Sequence, residues 1–365
     1  MQTFKLLFNG QETLLVLLSA FIIGGVFKSH KLFLPVFELL LRHLKSKRLG
    51  LLMISLVSGI LPIEGRVSVS APVLDSLVLD THKPAGSTCC CPKETSPHTH
   101  VSTRSKMGIL DFLATHHYYL WSPLEKSVLI VMAGLGLTYP QFLAYTALPL
   151  FLYLTFLVVT VFTYIKEEDI AITEPSLSDE ELPSVFHILP FFLGIALSVV
   201  FSPAWVFPFV ALYYILLSKT GLRTLFSFIR WDTLAFVALV IAAANVLKSN
   251  SGAIQDLLVM KTANADDFVI VGAILGGAAA SFLMGSSSKY GGITVLLTVV
   301  LGIQYLPLIL MADYIGYLLS PVHKCFIIVA SYFNTPWVEF YRKIGMLCLL
   351  MALAGTLVYL VPFMA

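Results

Sequence analysis

A chain of 365 residues in which 58% are hydrophobic and only 12% charged cannot build a water-facing surface, for which soluble domains use roughly 25% charged residues. The net charge of +2 supplies no broad basic field and excludes nucleic-acid binding on charge. Five cysteines, three of them adjacent at Cys89, Cys90 and Cys91, are not a secreted disulfide framework in a chain of this size, so composition predicts an all-α polytopic membrane protein with the lipid bilayer as its solvent.

The first apolar run, Leu14–Val26 behind Lys5, has the outline of a signal peptide, but no small-residue cleavage site follows it. It reads as a retained first helix. A crossing takes about 20 apolar residues, and helices are predicted near 12–27, 124–138, 141–165, 184–201, 204–218, 232–247, 268–284, 293–311, 321–334 and 343–363. Leu32–Leu44 is too short to span, and Gly50–Pro62 is short and ends in turn residues. Such interrupted segments predict two re-entrant hairpins beside about ten spanning helices.

Lys28, Lys31, Arg42, Lys45, Lys47 and Arg48 stand against Glu38 alone, which places that loop in the cytoplasm and the N-terminus outside. Lys219, Arg223 and Arg230 mark a second cytoplasmic loop, Arg342 and Lys343 a third. The polar insert 80–107 carries Cys89–Cys91 with His82, His98 and His100. It lacks the spaced pairs of a zinc site and reads as a disordered cytoplasmic linker. Gly108–Trp121, amphipathic and aromatic, reads as a helix lying in the membrane interface. Residues 166–183, with Glu167, Glu168, Asp169, Glu174, Asp179, Glu180 and Glu181, read as a solvated acidic linker.

The chain also resembles itself. ETLLVLLSAFIIGGVFKSH (12–30) matches DTLAFVALVIAAANVLKSN (232–250), and YLWSPLEK (119–126) matches YLLSPVHK (317–324). Two copies follow, residues 1–165 and 184–365, joined by the acidic linker. The loop after the first copy's opening helix is basic, whereas 248–267 holds Lys248 and Lys261 against Asp256, Asp266 and Asp267. Equivalent loops on opposite sides define an inverted repeat, the device with which many secondary transporters alternate access to one midplane site.

Each copy has one glycine-rich interruption, SGILPIEGRVSVSAP (58–72) and GSSSKYGG (285–292). Unwound backbone at membrane depth survives only inside protein or against a watery cavity. Hydroxyls and carbonyls at the tips are candidate sodium ligands, which nominates Ser58, Gly59, Gly285, Ser286 and Ser287. Arg66 and Lys289 are the cations of the two interruptions and suit a carboxylate or oxyanion, with Ser68, Ser288 and Asn245 as further substrate-binding candidates. Arg66 also has a structural reading, as a partner of Glu64 or an interfacial anchor. Asp313 and His323 are candidate proton relays, although His323 is placed close to an outer surface, where a structural role is the plainer reading; Glu125, its counterpart in the first copy, is read the same way. No metal and no organic cofactor are expected, only a coupling sodium ion or proton.

SGILPIEGRVSVSAP resembles the Leu-Pro-x-x-Gly hairpin of the ion transporter superfamily, which includes citrate, gluconate and dicarboxylate carriers. YIGYLLSPVHKC, with Ser320, Pro321, His323 and Cys325, resembles the Ser-Pro-x-His-x-Cys run of an uncharacterised prokaryotic integral-membrane family, domain of unknown function family 401. The resemblance implies inverted repeats with re-entrant hairpins, an elevator-type homodimer in the cell (inner) membrane, and ion-coupled uptake of a small organic anion. The cysteine-rich insert and GSSSKYGG depart from the superfamily pattern and leave ion coupling and substrate open. An ion channel is the alternative, against which no pore-lining ring is visible. A membrane-embedded enzyme is a third, against which no HExxH, GxSxG or intramembrane acid cluster is found.

Overall fold

The structure, a computed structural model, describes residues 11–44, 46–63, 66–76, 103–167, 170, 184–250 and 267–360. Among these it is all helical. The helices are α1 Gln11–Ser29, α2 Leu34–His43, α3 Lys47–Ile60, α4 Val67–Ser76, α5 Thr103–Thr115, α6 Lys126–Leu135, α7 Tyr139–Tyr164, α8 Leu189–Leu197, α9 Pro203–Ser218, α10 Leu222–Phe228, α11 Trp231–Ser249, α12 Asp267–Met284, α13 Ser287–Leu301, α14 Leu306–Leu319, α15 Lys324–Tyr332 and α16 Trp337–Leu360. Short 3₁₀ turns at His117–Leu120, Val185–Ile188 and Ile303–Tyr305 join some of them.

The helix starts follow local chemistry. Ser46 accepts from the Leu49 amide at the head of α3. Thr138 and Gln141 form a reciprocal capping box ahead of α7, with Pro140 in its first turn. Ser202 caps α9, where Pro203 needs no amide partner. Among the described residues, five stretches are long and apolar enough to cross a membrane: Gln11–Ser29, Tyr139–Tyr164, Trp231–Ser249, Ile303–Tyr332 and Trp337–Leu360. Their outward faces match that solvent, for Phe151 of α7, Leu239 of α11 and Leu349 of α16 are each about two-thirds exposed or more. Large apolar surface of this kind is costly in water and neutral in lipid.

Two helical hairpins sit inside this frame. The first, α3–α4, packs on α5 and reaches α15; the second, α12–α13, packs on α14 and reaches α6. Each of these neighbours continues past a Ser-Pro break. The chain unwinds between Leu120 and Lys126 before α6, and between Leu319 and Lys324 before α15. Lys47 ties the first hairpin to the start of the acidic linker, its amide donating to Glu167 at 3.0 Å and its Nζ to the Ile170 carbonyl at 2.8 Å.

Several sequence expectations change. The span predicted over 293–311 is broken at Gly302, whose φ of 112° only glycine adopts readily, and Leu306–Leu319 is a separate helix. The spans near 124–138 and 321–334 shorten to Lys126–Leu135 and Lys324–Tyr332, because the Ser-Pro breaks consume their first residues. The second interruption narrows from 285–292 to Gly285 and Ser286, since small polar residues open α13 from Ser287. Gly108–Trp121 is not an interfacial helix. Its whole length down to Leu120 is buried, enclosed by α3, α4, α7, α15 and α16. The insert 80–107 ends earlier than predicted, α5 beginning at Thr103; Cys89–Cys91 and most of the acidic linker lie outside the described residues.

Candidate functional site

The tip of the first hairpin is a tight turn in which Ile63 donates to the Leu61 carbonyl at 2.8 Å, and Arg66 closes it by donating from Nε to the same oxygen at 2.6 Å. The Arg66 guanidinium lies over the Tyr118 ring, 3.5 Å from its centroid, and Nη2 stands 3.5 Å from Glu125 Oε2. Its partner is therefore the glutamate of the first Ser-Pro break; Glu64 lies outside the described residues. The tip of the second hairpin turns at Gly285 with φ 55°. A Cβ there would meet Ser320 Oγ at 2.8 Å and the His323 amide nitrogen at 3.1 Å, so the turn is pressed against the second Ser-Pro break. Only glycine combines that conformation with that approach.

Both tips and both breaks line one cavity of about 470 Å³, closed on its other sides by α1 and α11. Its walls carry five basic side chains, Arg66, Lys126, Arg230, Lys289 and Lys324, against two acidic ones, Glu125 and Asp232. The acids are engaged locally, Glu125 with Arg66 and Asp232 with Arg230 through oxygens at 2.9 and 3.1 Å. A low-dielectric pocket with surplus cations concentrates anions.

The predicted site residues divide. Arg66, Lys289, Gly285, Ser286 and His323 line the cavity. Ser58, Gly59, Ser68, Asn245 and Asp313 do not: Ser58 and Gly59 are packed away from it, Gly59 against Thr115 and His117; Ser68 is exposed on α4; Asn245 is buried on α11. The side chains of Ser287 and Ser288 lie outside the described residues. Asp313 and His323 have different partners. Asp313 accepts from Thr294 at 2.6 Å and Ser281 at 3.5 Å, a purely internal tie. His323 is 2% exposed, within the cavity wall.

Over residues 2–362 the chain matches the family described as "Protein of unknown function (DUF401)". The chain belongs to this family. No curated protein matches it.

Two features of this DUF401 protein escaped sequence reasoning. The first is a chain of aromatic and imidazole groups that runs from the cavity wall, through Tyr119, Tyr317 and His323, to His116 behind it. Tyr317 donates to Tyr119 at 2.6 Å, its oxygen lies 2.9 Å from His323 Nε2, and that nitrogen lies 3.1 Å from His116 Nε2. Tyr153 and Tyr314 hold the end of α5 in place by donating to the Leu113 and His116 carbonyls at 2.7 and 2.8 Å. Tyr119 and Tyr317 occupy matching positions of the internal repeat, and that was the available signal; His116 had none.

The second is Asp111, fully buried on α5. It accepts from Ser70 of α4 at 2.8 Å and has Ser55 of α3 beside it. Asp313 relates in the same way to Thr294 of α13 and Ser281 of α12. Asp313 thus ties both arms of the second hairpin to α14, and Asp111 ties the α4 arm of the first hairpin to α5. Asp111→Ala and Asp313→Ala are each expected to strand buried hydroxyls and cost roughly 1–3 kcal/mol, read as a lowered Tm in detergent. An unchanged Tm in either variant would mean that its hairpin is held by apolar packing alone.

Proposed function

We propose that this protein is a secondary active transporter, not an enzyme, that moves a small organic anion or oxyanion across the membrane, coupled to sodium or protons. The observation that carries this reading is the cavity in which two hairpin tips and two broken helices converge with five cations against two acids. Its volume suits a metabolite-sized solute. The surplus of positive charge selects an anion, and the paired tips give each side of the membrane its own gate.

In this reading the two copies are inverted repeats making about ten crossings. The matched Ser-Pro motifs and the unlike charges of the loops at 28–48 and 248–267 support it. Rocking or sliding of the hairpin-bearing helices against α1 and α11 would expose the cavity alternately to either side, in a homodimer of the inner membrane. The resemblance to the citrate and dicarboxylate carriers points the same way.

Reconstitution in proteoliposomes with a labelled panel of organic acids and oxyanions tests the proposal. A carrier shows saturable uptake, counterflow and dependence on an imposed ion gradient; a non-saturating current would replace it with a channel. Lys289 is exposed on the cavity wall, so Lys289→Ala should leave folding intact. A lost charge-assisted hydrogen bond of about 1.5–3 kcal/mol corresponds to a KM raised roughly 10- to 100-fold. An unchanged KM would remove Lys289 from the binding site.

A further inference from the structure

Three soft or borderline donors converge on the cavity wall. His116 Nε2, His323 Nε2 and Cys325 Sγ all lie within 4.8 Å of one another, and the two imidazole nitrogens are 3.1 Å apart. The three residues come from opposite ends of the chain. The turn after α5 brings His116, and the second Ser-Pro break with the first turn of α15 brings His323 and Cys325.

The protonation pattern around them suits a cation. The Phe112 carbonyl, 2.5 Å from His116 Nδ1, can only accept, so that nitrogen carries the proton and Nε2 presents a lone pair. This is the outer hydrogen bond that orients metal-binding histidines. Stacking of the ring on Phe112, with centroids 4.1 Å apart, fixes its plane. His323 makes its polar contacts through Nε2, while its Nδ1 is buried with no partner among the described residues. The metal-free pair is satisfied by one proton on His323 Nε2. Moving that proton to Nδ1 leaves both Nε2 lone pairs facing a common point.

We propose that His116, His323 and Cys325 form a transition-metal site of the zinc class. Two imidazoles and a thiolate are a borderline-soft donor set that disfavours magnesium and calcium and suits Zn²⁺. Bond lengths of about 2.0–2.3 Å to nitrogen and sulfur match the imidazole spacing directly, and a Cys325 rotamer change brings the sulfur in. Binding forms two metal–nitrogen bonds and one metal–sulfur bond and releases the thiol proton to water. Three protein ligands leave a fourth position open. Because His323 and Cys325 line the cavity, that position faces the space where an anionic oxygen or a water completes the tetrahedron. The ion would also join the two halves of the chain through α5 and α15, a role independent of what the cavity carries.

The test uses the purified full-length chain with Cys89, Cys90 and Cys91 replaced by serine, so that the insert's thiols cannot contribute. After treatment with chelator, the protein should take up one equivalent of Zn²⁺ by calorimetry and, with Co²⁺, develop a thiolate-to-metal charge-transfer band. Cys325→Ser should abolish the band, and His116→Gln should weaken affinity at least about tenfold. In the unsubstituted site, Zn²⁺ should slow maleimide labelling of Cys325, read by peptide mass spectrometry, which needs no variant of the ligands to fold. Absence of a stoichiometric equivalent in the triple-serine protein, a band that survives Cys325→Ser, or unchanged labelling of Cys325 would each overturn the site.

Discussion

Arg66→Ala is expected to abolish anion uptake and to destabilise the protein, and the two losses have separable causes. The side chain closes the first hairpin tip through Leu61, stacks on Tyr118 and faces Glu125, whose side chain is 3% exposed. Removing it leaves that carboxylate buried without its cation, which costs roughly 3–5 kcal/mol. Glu125→Gln in the same chain neutralises the stranded group and should recover most of the lost Tm. It should not recover uptake, because the cavity still lacks the guanidinium. Arg66→Lys keeps the charge but loses the planar fork that engages Leu61 and Glu125 together, and should transport with reduced affinity. Normal uptake by the Arg66→Ala, Glu125→Gln protein would confine Arg66 to a structural role.

Gly24→Val should be the most damaging substitution among the helix-packing glycines. A Cβ at Gly24 would sit 1.9 Å from the Pro62 carbonyl oxygen and 2.9 Å from its carbon, so α1 touches the first hairpin tip backbone to backbone. No side chain is there to give way. The cost belongs at or above the upper end of the roughly 1–3 kcal/mol of an overpacked core, and the displaced tip carries Arg66 with it. Two neighbours calibrate the effect. Gly25 meets the Phe228 side chain, whose ring can rotate although its Cβ at 2.7 Å cannot, and Gly345 has nothing within 4 Å. Thermal unfolding in detergent should rank Gly24→Val as the least stable, Gly25→Ala as intermediate and Gly345→Ala as close to the parent. A Gly24→Val protein with parental Tm and uptake would show that α1 and the hairpin are free to separate.

What could be read from the residues alone was the solvent and the punctuation. Charge content pointed to the bilayer, and the glycine-rich interruptions and apolar runs pointed to where helices lie, because composition and chain breakers act within a few residues of themselves. The comparison of the chain with itself picked out both hairpin interruptions and the pair YLWSPLEK and YLLSPVHK, but that these two motifs are breaks facing the hairpin tips came from the structure. The facing of each helix was decided only by the tertiary structure. Gly108–Trp121 was assigned to the membrane interface because an amphipathic, aromatic pattern suits that position, but the same pattern serves a helix whose polar side meets polar groups inside the protein, which is where Gly108–Leu120 is buried. Partnership was equally hidden. Arg66 meets Glu125 across 59 residues, and His116 meets His323 across 207, because in a low-dielectric interior a buried polar group must be satisfied by whatever the fold brings beside it, and sequence distance carries no information about that.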